Sequence, residues 1–158
     1  MAQGYDHTQR GILHYVVGLP GGAFVFLALL LGEGSPLFIC LVALATLVLF
    51  LGGCFGYLHV RDSGDALSIR FGPVQVFGTS IRYSDIARAE VARTNLLHGW
   101  GIHGFPGLSV TYNIHGFDCV RVVFKKPRGL FRFRRINIGS DDAAGLAAFL
   151  SFRIASAP

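Results

Sequence analysis

Between Gly11 and Gly32 the chain carries no Asp, Glu, Lys or Arg, and after Glu33 the next formal charge is Arg61. A water-facing surface needs charged and polar side chains, so this gap excludes the first third of the chain from an ordinary soluble exterior. Cysteine is scarce as well. Cys40, Cys54 and Cys119 are an odd number, and no pair has metal-ligand spacing. They exclude a secreted disulfide framework and read as buried, inert thiols. The strings that carry catalysis are also missing. There is no G-x-S-x-G elbow, no H-E-x-x-H, and no cysteine placed with a histidine and an orienting group. The sequence therefore predicts neither an enzyme nor a cofactor.

What the chain has instead is apolar length. About 20 mostly apolar residues are needed to cross the hydrocarbon core as a helix, and Ile12–Leu31 and Pro36–Leu58 both qualify. Gly32-Glu33-Gly34-Ser35-Pro36 is a turn by its chemistry, with proline suited to the first position of a new helix. The expected organisation is a tail over 1–10, a two-helix transmembrane hairpin over 11–58 (helices 11–32 and 36–58), and a cytoplasmic domain over 59–158. Arg10 and Arg61 flank the hairpin while its turn carries only Glu33, which predicts cytoplasmic termini by the positive-inside bias. A cleaved signal peptide would explain Arg10 and the first apolar run, but the small-x-small cleavage site is missing and a second apolar run follows at once. Two buried helices of a soluble protein would need more covering chain than is present.

Within the spans, Gly18-x-x-x-Gly22 and Gly52-x-x-x-Gly56 predict a close helix–helix contact, since small residues four apart let backbones approach. Pro20 frees the Val16 carbonyl, and His14 lies near the inner interface. Neither has an ionisable partner in the spans, which argues against an ion or proton pathway.

From Tyr57 the periodicity shortens. Leu58-His59-Val60 reads as a strand, Ser63-Gly64-Asp65 as a turn, and Ala66–Phe71 as a second strand with Leu67, Ile69 and Phe71 on one face. Val74–Ile81, Ile86–Thr94, Leu108–Ile114, Val120–Lys126 and Phe131–Ile138 continue the series, with a glycine-rich loop over Leu97–Pro106. The last strand changes parity at Arg134-Arg135, as a β-bulge would make it do. Ser140 is expected to cap a C-terminal helix whose apolar stripe is Ala143, Leu146, Ala147, Leu150 and Ile154. The predicted fold class is an α-helical transmembrane hairpin plus an all-β roll or barrel of about seven antiparallel strands, capped by that helix.

The order of elements, and the phrases Asp65-Ala66-Leu67-Ser68-Ile69-Arg70-Phe71-Gly72-Pro73, Gly99-Trp100-Gly101-Ile102, Tyr112-Asn113-Ile114-His115-Gly116-Phe117-Asp118 and Ile138-Gly139-Ser140-Asp141-Asp142, resemble bacterial pleckstrin-homology-like (PH-like) domains behind a two-helix membrane hairpin. The resemblance spans residues 58–155. It implies a small multi-pass protein of the bacterial plasma membrane, and architecture far more than biochemistry. Pleckstrin-homology domains that bind inositol phosphates carry basic residues in their first hairpin. Here that hairpin is Arg61-Asp62-Ser63-Gly64-Asp65, largely acidic, so the resemblance does not bring that ligand with it.

The strongest functional signal is charge. Thirteen of the fourteen basic residues and seven of the nine acidic ones lie at or after Arg61, a net charge of about +6. Lys125, Lys126, Arg128, Arg132, Arg134 and Arg135 fall within eleven residues, and no acid occurs between Asp118 and Asp141. Anionic lipid on a cytoplasmic leaflet attracts such a cluster by about 1 kcal/mol per residue; the alternative is a solvated hairpin that merely follows the positive-inside bias. The expected function is a membrane-anchored interaction module binding an unknown protein or a second copy of itself, with lipid sensing as the alternative. Phe131 and Phe133 alternate with arginines and are expected to face the core, which argues against nucleic acid. Gly99-Trp100-Gly101-Ile102-His103-Gly104 spells G-x-G-x-x-G, but strand follows it and Phe124 stands where the acid should be. It reads as a loop anchored by Trp100, against the barrel or the membrane interface. A third reading, a metal or enzyme site on His98, His103 and His115, lacks paired spacing and a nearby carboxylate.

Overall fold

A computed structural model describes residues 4–95 and 100–156. Helices α1 (Leu13–Leu31) and α2 (Pro36–Cys54) form an antiparallel pair. Each has 19 residues, or about 28 Å at 1.5 Å per residue, and both are long and apolar enough to cross a membrane. Ser35 accepts a hydrogen bond from Leu37 N at 3.2 Å and Pro36 fills the first turn, so α2 starts where the turn chemistry requires. Little of either helix is buried. Leu19, Phe26, Leu29, Leu30 and Ile39 are among many large apolar side chains left exposed.

The helix seam is built from small residues, though not all of those expected. Gly52 lies on Gly18: a Cβ at Gly52 would sit 3.1 Å from the Gly18 Cα and 3.2 Å from the His14 carbonyl oxygen. Gly21, not Gly22, makes the next contact, against Leu49. Gly22 meets nothing within 4 Å. Gly21 and Ala28, seven residues apart, are buried on the seam face, and Gly22 is turned off that face by one residue's rotation. Gly56 lies beyond the helix, where its N–H donates to the Gly72 carbonyl at 2.9 Å. Cys40 is exposed, a correction to its expected burial, because its neighbour Leu41 occupies the seam; Cys54 and Cys119 are buried.

The remainder is two β-sheets and a third helix. The strands are β1 (Asp6–Arg10), β2 (Tyr57–Asp62), β3 (Ala66–Gly72), β4 (Gly78–Arg82), β5 (Ile86–Arg93), β6 (Gly101–Phe105), β7 (Ser109–Asn113), β8 (Asp118–Arg128) and β9 (Phe133–Gly139), followed by α3 (Ala143–Ser156). The first sheet has the order β1-β2-β3-β4 and the second β5-β8-β9-β7-β6. Thus among the described residues nine strands form two sheets that do not close into a barrel, and one pair, β7–β9, is parallel. The parallel pair arises because β9 enters between β8 and β7, which are joined only by the loop 114–117.

Four boundaries correct the sequence reading. Residues 6–10 are not a tail: they pair with β2 from Asp6↔Arg61 to Arg10↔Tyr57. The second helix stops at Cys54 rather than residue 58, because Leu58 belongs to the β core and is fully buried there. Gly101–Phe105, expected as loop, is edge strand β6. Between β3 and β4, Val74 and Val76 sit exposed in a turn closed by Val76 N to Val74 O.

Alternation fills the core as anticipated. Leu67, Ile69 and Phe71 of β3 are buried with Leu58 and Val60 of β2, facing Val120, Val122, Ile136 and Ile138 of the second sheet. From α3, Ala143, Leu146, Ala147 and Leu150 are buried and Ile154 packs at the margin. The cap of α3 is Asp142 rather than Ser140. Its Oδ1 accepts from Gly145 N at 3.1 Å, while Ser140 Oγ accepts from Asp142 N at 3.1 Å to set the turn before it.

Candidate functional site

The basic segment occupies the end of β8, the turn, and the start of β9. The β8–β9 register runs regularly from Cys119↔Gly139 to Val123↔Arg135, then jumps to Arg128↔Phe133. Two further amides, Arg134 N and Arg135 N, both donate to the Leu108 carbonyl, at 3.1 and 3.2 Å. The register thus passes four residues of β8, 124–127, opposite Arg134 alone, so the irregularity lies mainly on β8; beside it Arg134 is exposed while Ile136 and Ile138 remain in the core. The turn uses left-handed backbone at Gly129 (φ 72°) and Arg132 (φ 51°), closed by Arg132 N to Gly129 O at 3.0 Å.

The six basic residues are not equivalent. Arg128 is committed to the fold: Nη1 lies 3.2 Å from Asp85 Oδ2, Nη2 donates to the Ser80 carbonyl at 2.7 Å, and the guanidinium stands over the Phe124 ring. It ties the second sheet to the edge strand β4 of the first. Lys125 and Lys126 are exposed beside Ser84 and Asp85 at the rim of a cleft of about 320 Å³. Arg132 and Arg134 are exposed, and Arg135 is half-buried. Among the described residues, none of these five forms an ion pair with a carboxylate.

The turn also carries two large apolar side chains in water. Leu130 is 91% exposed and Phe131 55%. Phe131 was expected in the core; it is outside because the turn takes residues 129–132 and β9 begins only at Phe133, which does pack on the core. No hydropathy pattern marks this, since both residues continue the alternation of the strands beside them.

Trp100 sits half-buried against the core, donating from Nε1 to the Gly116 carbonyl at 3.3 Å, its ring 5.4 Å from that of His115. It anchors the start of β6 to the β7–β8 turn. His98, the first member of the histidine set, lies outside the described residues, and His103 and His115 are exposed. Among the described residues no three His, Cys, Asp or Glu side chains are placed to share a metal ion. Burial pushes the Cys119 thiol up to about 11, so it is protonated at neutral pH.

The polar chemistry that sequence reasoning missed lies along β1. His7 bonds Asp141, and His59 bonds Asp6 at 2.8 Å. Tyr5 donates to Asp142 Oδ2 at 3.3 Å, and burial, with Asp142 and Asp141 adding to it, pushes its hydroxyl up to about 12. Asp62, in the acidic first hairpin, accepts from Gly64 N, from the Tyr83 hydroxyl at 2.9 Å and from Arg153. That hairpin is a structural hub. Partners up to 137 residues apart leave no local sequence signal.

No family model matches the chain, and neither does any curated protein or solved structure.

Proposed function

We propose that α1 and α2 cross the plasma membrane of a bacterium as an antiparallel hairpin, with both termini cytoplasmic, and hold a PH-like β domain at the inner leaflet as a non-catalytic interaction module. The observation that carries this is the surface of the helix pair. Two 19-residue helices without a formal charge expose apolar side chains over most of their circumference and pack mainly on each other. Water would penalise that surface, whereas a bilayer removes it from water. Arg10 and Arg61 at the domain end, with Glu33 at the turn, favour the cytoplasmic orientation. The two sheets, with a C-terminal helix packed on β5 and β8, support the PH-like reading, although the parallel β7–β9 pair and the open sheets depart from a seven-strand barrel.

The module's partner is a protein or a second copy of the chain, and anionic lipid at Lys125, Lys126, Arg132, Arg134 and Arg135 steadies the domain. The exposure of Lys125, Lys126, Arg132 and Arg134, and the lack of carboxylate partners for all five among the described residues, favour that lipid contact. The test of topology is impermeant thiol labelling of Gly34→Cys and Ser63→Cys in intact bacterial cells, with Cys40, Cys54 and Cys119 replaced. Labelling of position 34 alone is expected; labelling of both or neither would refute the arrangement. Crosslinking in the native membrane followed by affinity purification then identifies the partner.

A further inference from the structure

We infer that the β8–β9 turn dips into the leaflet facing the β domain, with Leu130 and Phe131 entering the headgroup–acyl boundary and the neighbouring lysines and arginines holding lipid phosphates. This rests on the reading that α1 and α2 span the bilayer. Three observations lead to it. The first is the tip itself: two large apolar side chains at the end of a hairpin, the most exposed of them 91% in solvent, flanked by Lys125, Lys126, Arg132 and Arg134. Exposed apolar groups among unpaired cations are the composition of interfacial membrane contacts, whereas a hairpin kept soluble has no use for a leucine and a phenylalanine at its turn.

The second is position. The helix pair abuts one side of the β domain: Leu13 lies against Gly101 at the start of β6, Gly11 against the Ile114 carbonyl and His115, and Phe55 stacks on Phe77 at 5.4 Å. The opposite edge of the second sheet, β5, lies beside α3, away from the helix pair. β6 is therefore the edge facing the helices. The turn joins that side, since Gly107 N donates to the Phe131 carbonyl, and Phe131 lines one apolar cleft of about 400 Å³ with Ile102 and Pro106.

The third is continuity. Val74 and Val76 beside Phe77, Ile102 on β6, and Leu108 beyond it are all exposed. They extend an apolar margin from the helix ends to the tip. β6 is also an edge strand, and an apolar edge left to water invites aggregation. A leaflet covers the margin without a second protein.

The test uses the full-length chain in lipid nanodiscs containing brominated acyl chains. In a Trp100→Phe background, which removes the one native tryptophan, single tryptophans are introduced as Leu130→Trp, Val91→Trp on the far edge strand, and Leu47→Trp in α2. All three added positions are exposed; because Trp100→Phe gives up the Nε1 bond to the Gly116 carbonyl, the background variant is first matched to the native chain by circular dichroism and melting curve. The expected result is blue-shifted emission and quenching by shallow bromines at 130, quenching by deep bromines at 47, and no quenching at 91. A tryptophan at 130 as red and unquenched as that at 91, with 47 still quenched, overturns the inference and leaves the spanning helices standing. Loss of quenching at 47 overturns both. Equal quenching at 130 in phosphatidylcholine and phosphatidylglycerol discs overturns the part assigned to the basic residues.

Discussion

Arg153 on α3 places Nη2 3.1 Å from Asp62 Oδ1, joining the C-terminal helix to the end of β2 across 91 residues. The guanidinium also stands over the Tyr83 ring at 4.7 Å and bonds the Gly64 carbonyl. One carboxylate oxygen thus serves a turn, a tyrosine and a helix. Asp62→Ala should cost about 2–3 kcal/mol, because it strips hydrogen bonds to a charged acceptor and leaves Arg153 unpaired in a partly buried place. Chemical denaturation in mild detergent reads this, and a loss no larger than that of an exposed substitution such as Asp65→Ala would count against the hub.

The contact of Gly52 with Gly18 makes a prediction inside the helix pair. At Gly52 a methyl group meets backbone on the facing helix, and backbone cannot swing aside. Gly52→Ala should separate the helices and cost about 1–3 kcal/mol by overpacking. Gly22→Ala, with open space around it, should be tolerated. Thermal unfolding of both variants in the same detergent decides; equal effects would mean that the seam runs elsewhere.

Alkali should loosen the grip of β1 on α3 through Tyr5. Its folded-state value, about 12, lies above the ordinary 10.0, burial being the main cause. The unfolded chain therefore loses this proton first as pH rises. The stabilisation is whole below pH 10 and disappears as pH climbs towards 12. Tyr5→Phe should flatten the fall of the denaturation midpoint over that window, and an unchanged slope would remove Tyr5 from the account.

Arg128 and the two lysines should separate cleanly. Arg128→Gln breaks the Asp85 pair and the bond to Ser80, and should lower stability by about 1 kcal/mol given the exposure of both partners. Lys125→Gln with Lys126→Gln should leave stability unchanged and weaken retention of anionic lipid, about 1 kcal/mol for each charge. Mass spectrometry of lipid retained by the detergent-purified chain, beside its melting curve, distinguishes the two. If the lysine pair alters the melting curve and not the lipid, the assignment is reversed.

How far the sequence spoke can be judged from particular residues. The helices were legible because length without charge is a local property, and Leu67, Ile69 and Phe71 were legible because strand alternation is too. The register break beside Arg134 showed as a change of parity, though its extra residues lie on β8 at 124–127 and not in the arginine doublet. The insertion of β9 between β7 and β8 did not show, since hydropathy records which face a strand buries and not which strand lies beside it. Nor did β1: Asp6–Arg10 is mostly polar, and only Gln9 is buried in it. Among the basic residues, charge density marked the segment, but only the fold reveals that Arg128 is spent on Asp85 and Ser80 while Leu130 is left in solvent.

The pairing of Asp6–Arg10 with Tyr57–Asp62 also sets an order of assembly. β1 leaves the ribosome before either helix, yet its ladder partner is synthesised only after both. If α1 and α2 cross the bilayer as proposed, those residues have no ladder partner until the second helix has been inserted and the chain has returned. On that reading completion of the first sheet acts as a checkpoint on insertion: a chain that placed only one helix would leave β1 and β2 on opposite sides of the membrane, and the first sheet would not close.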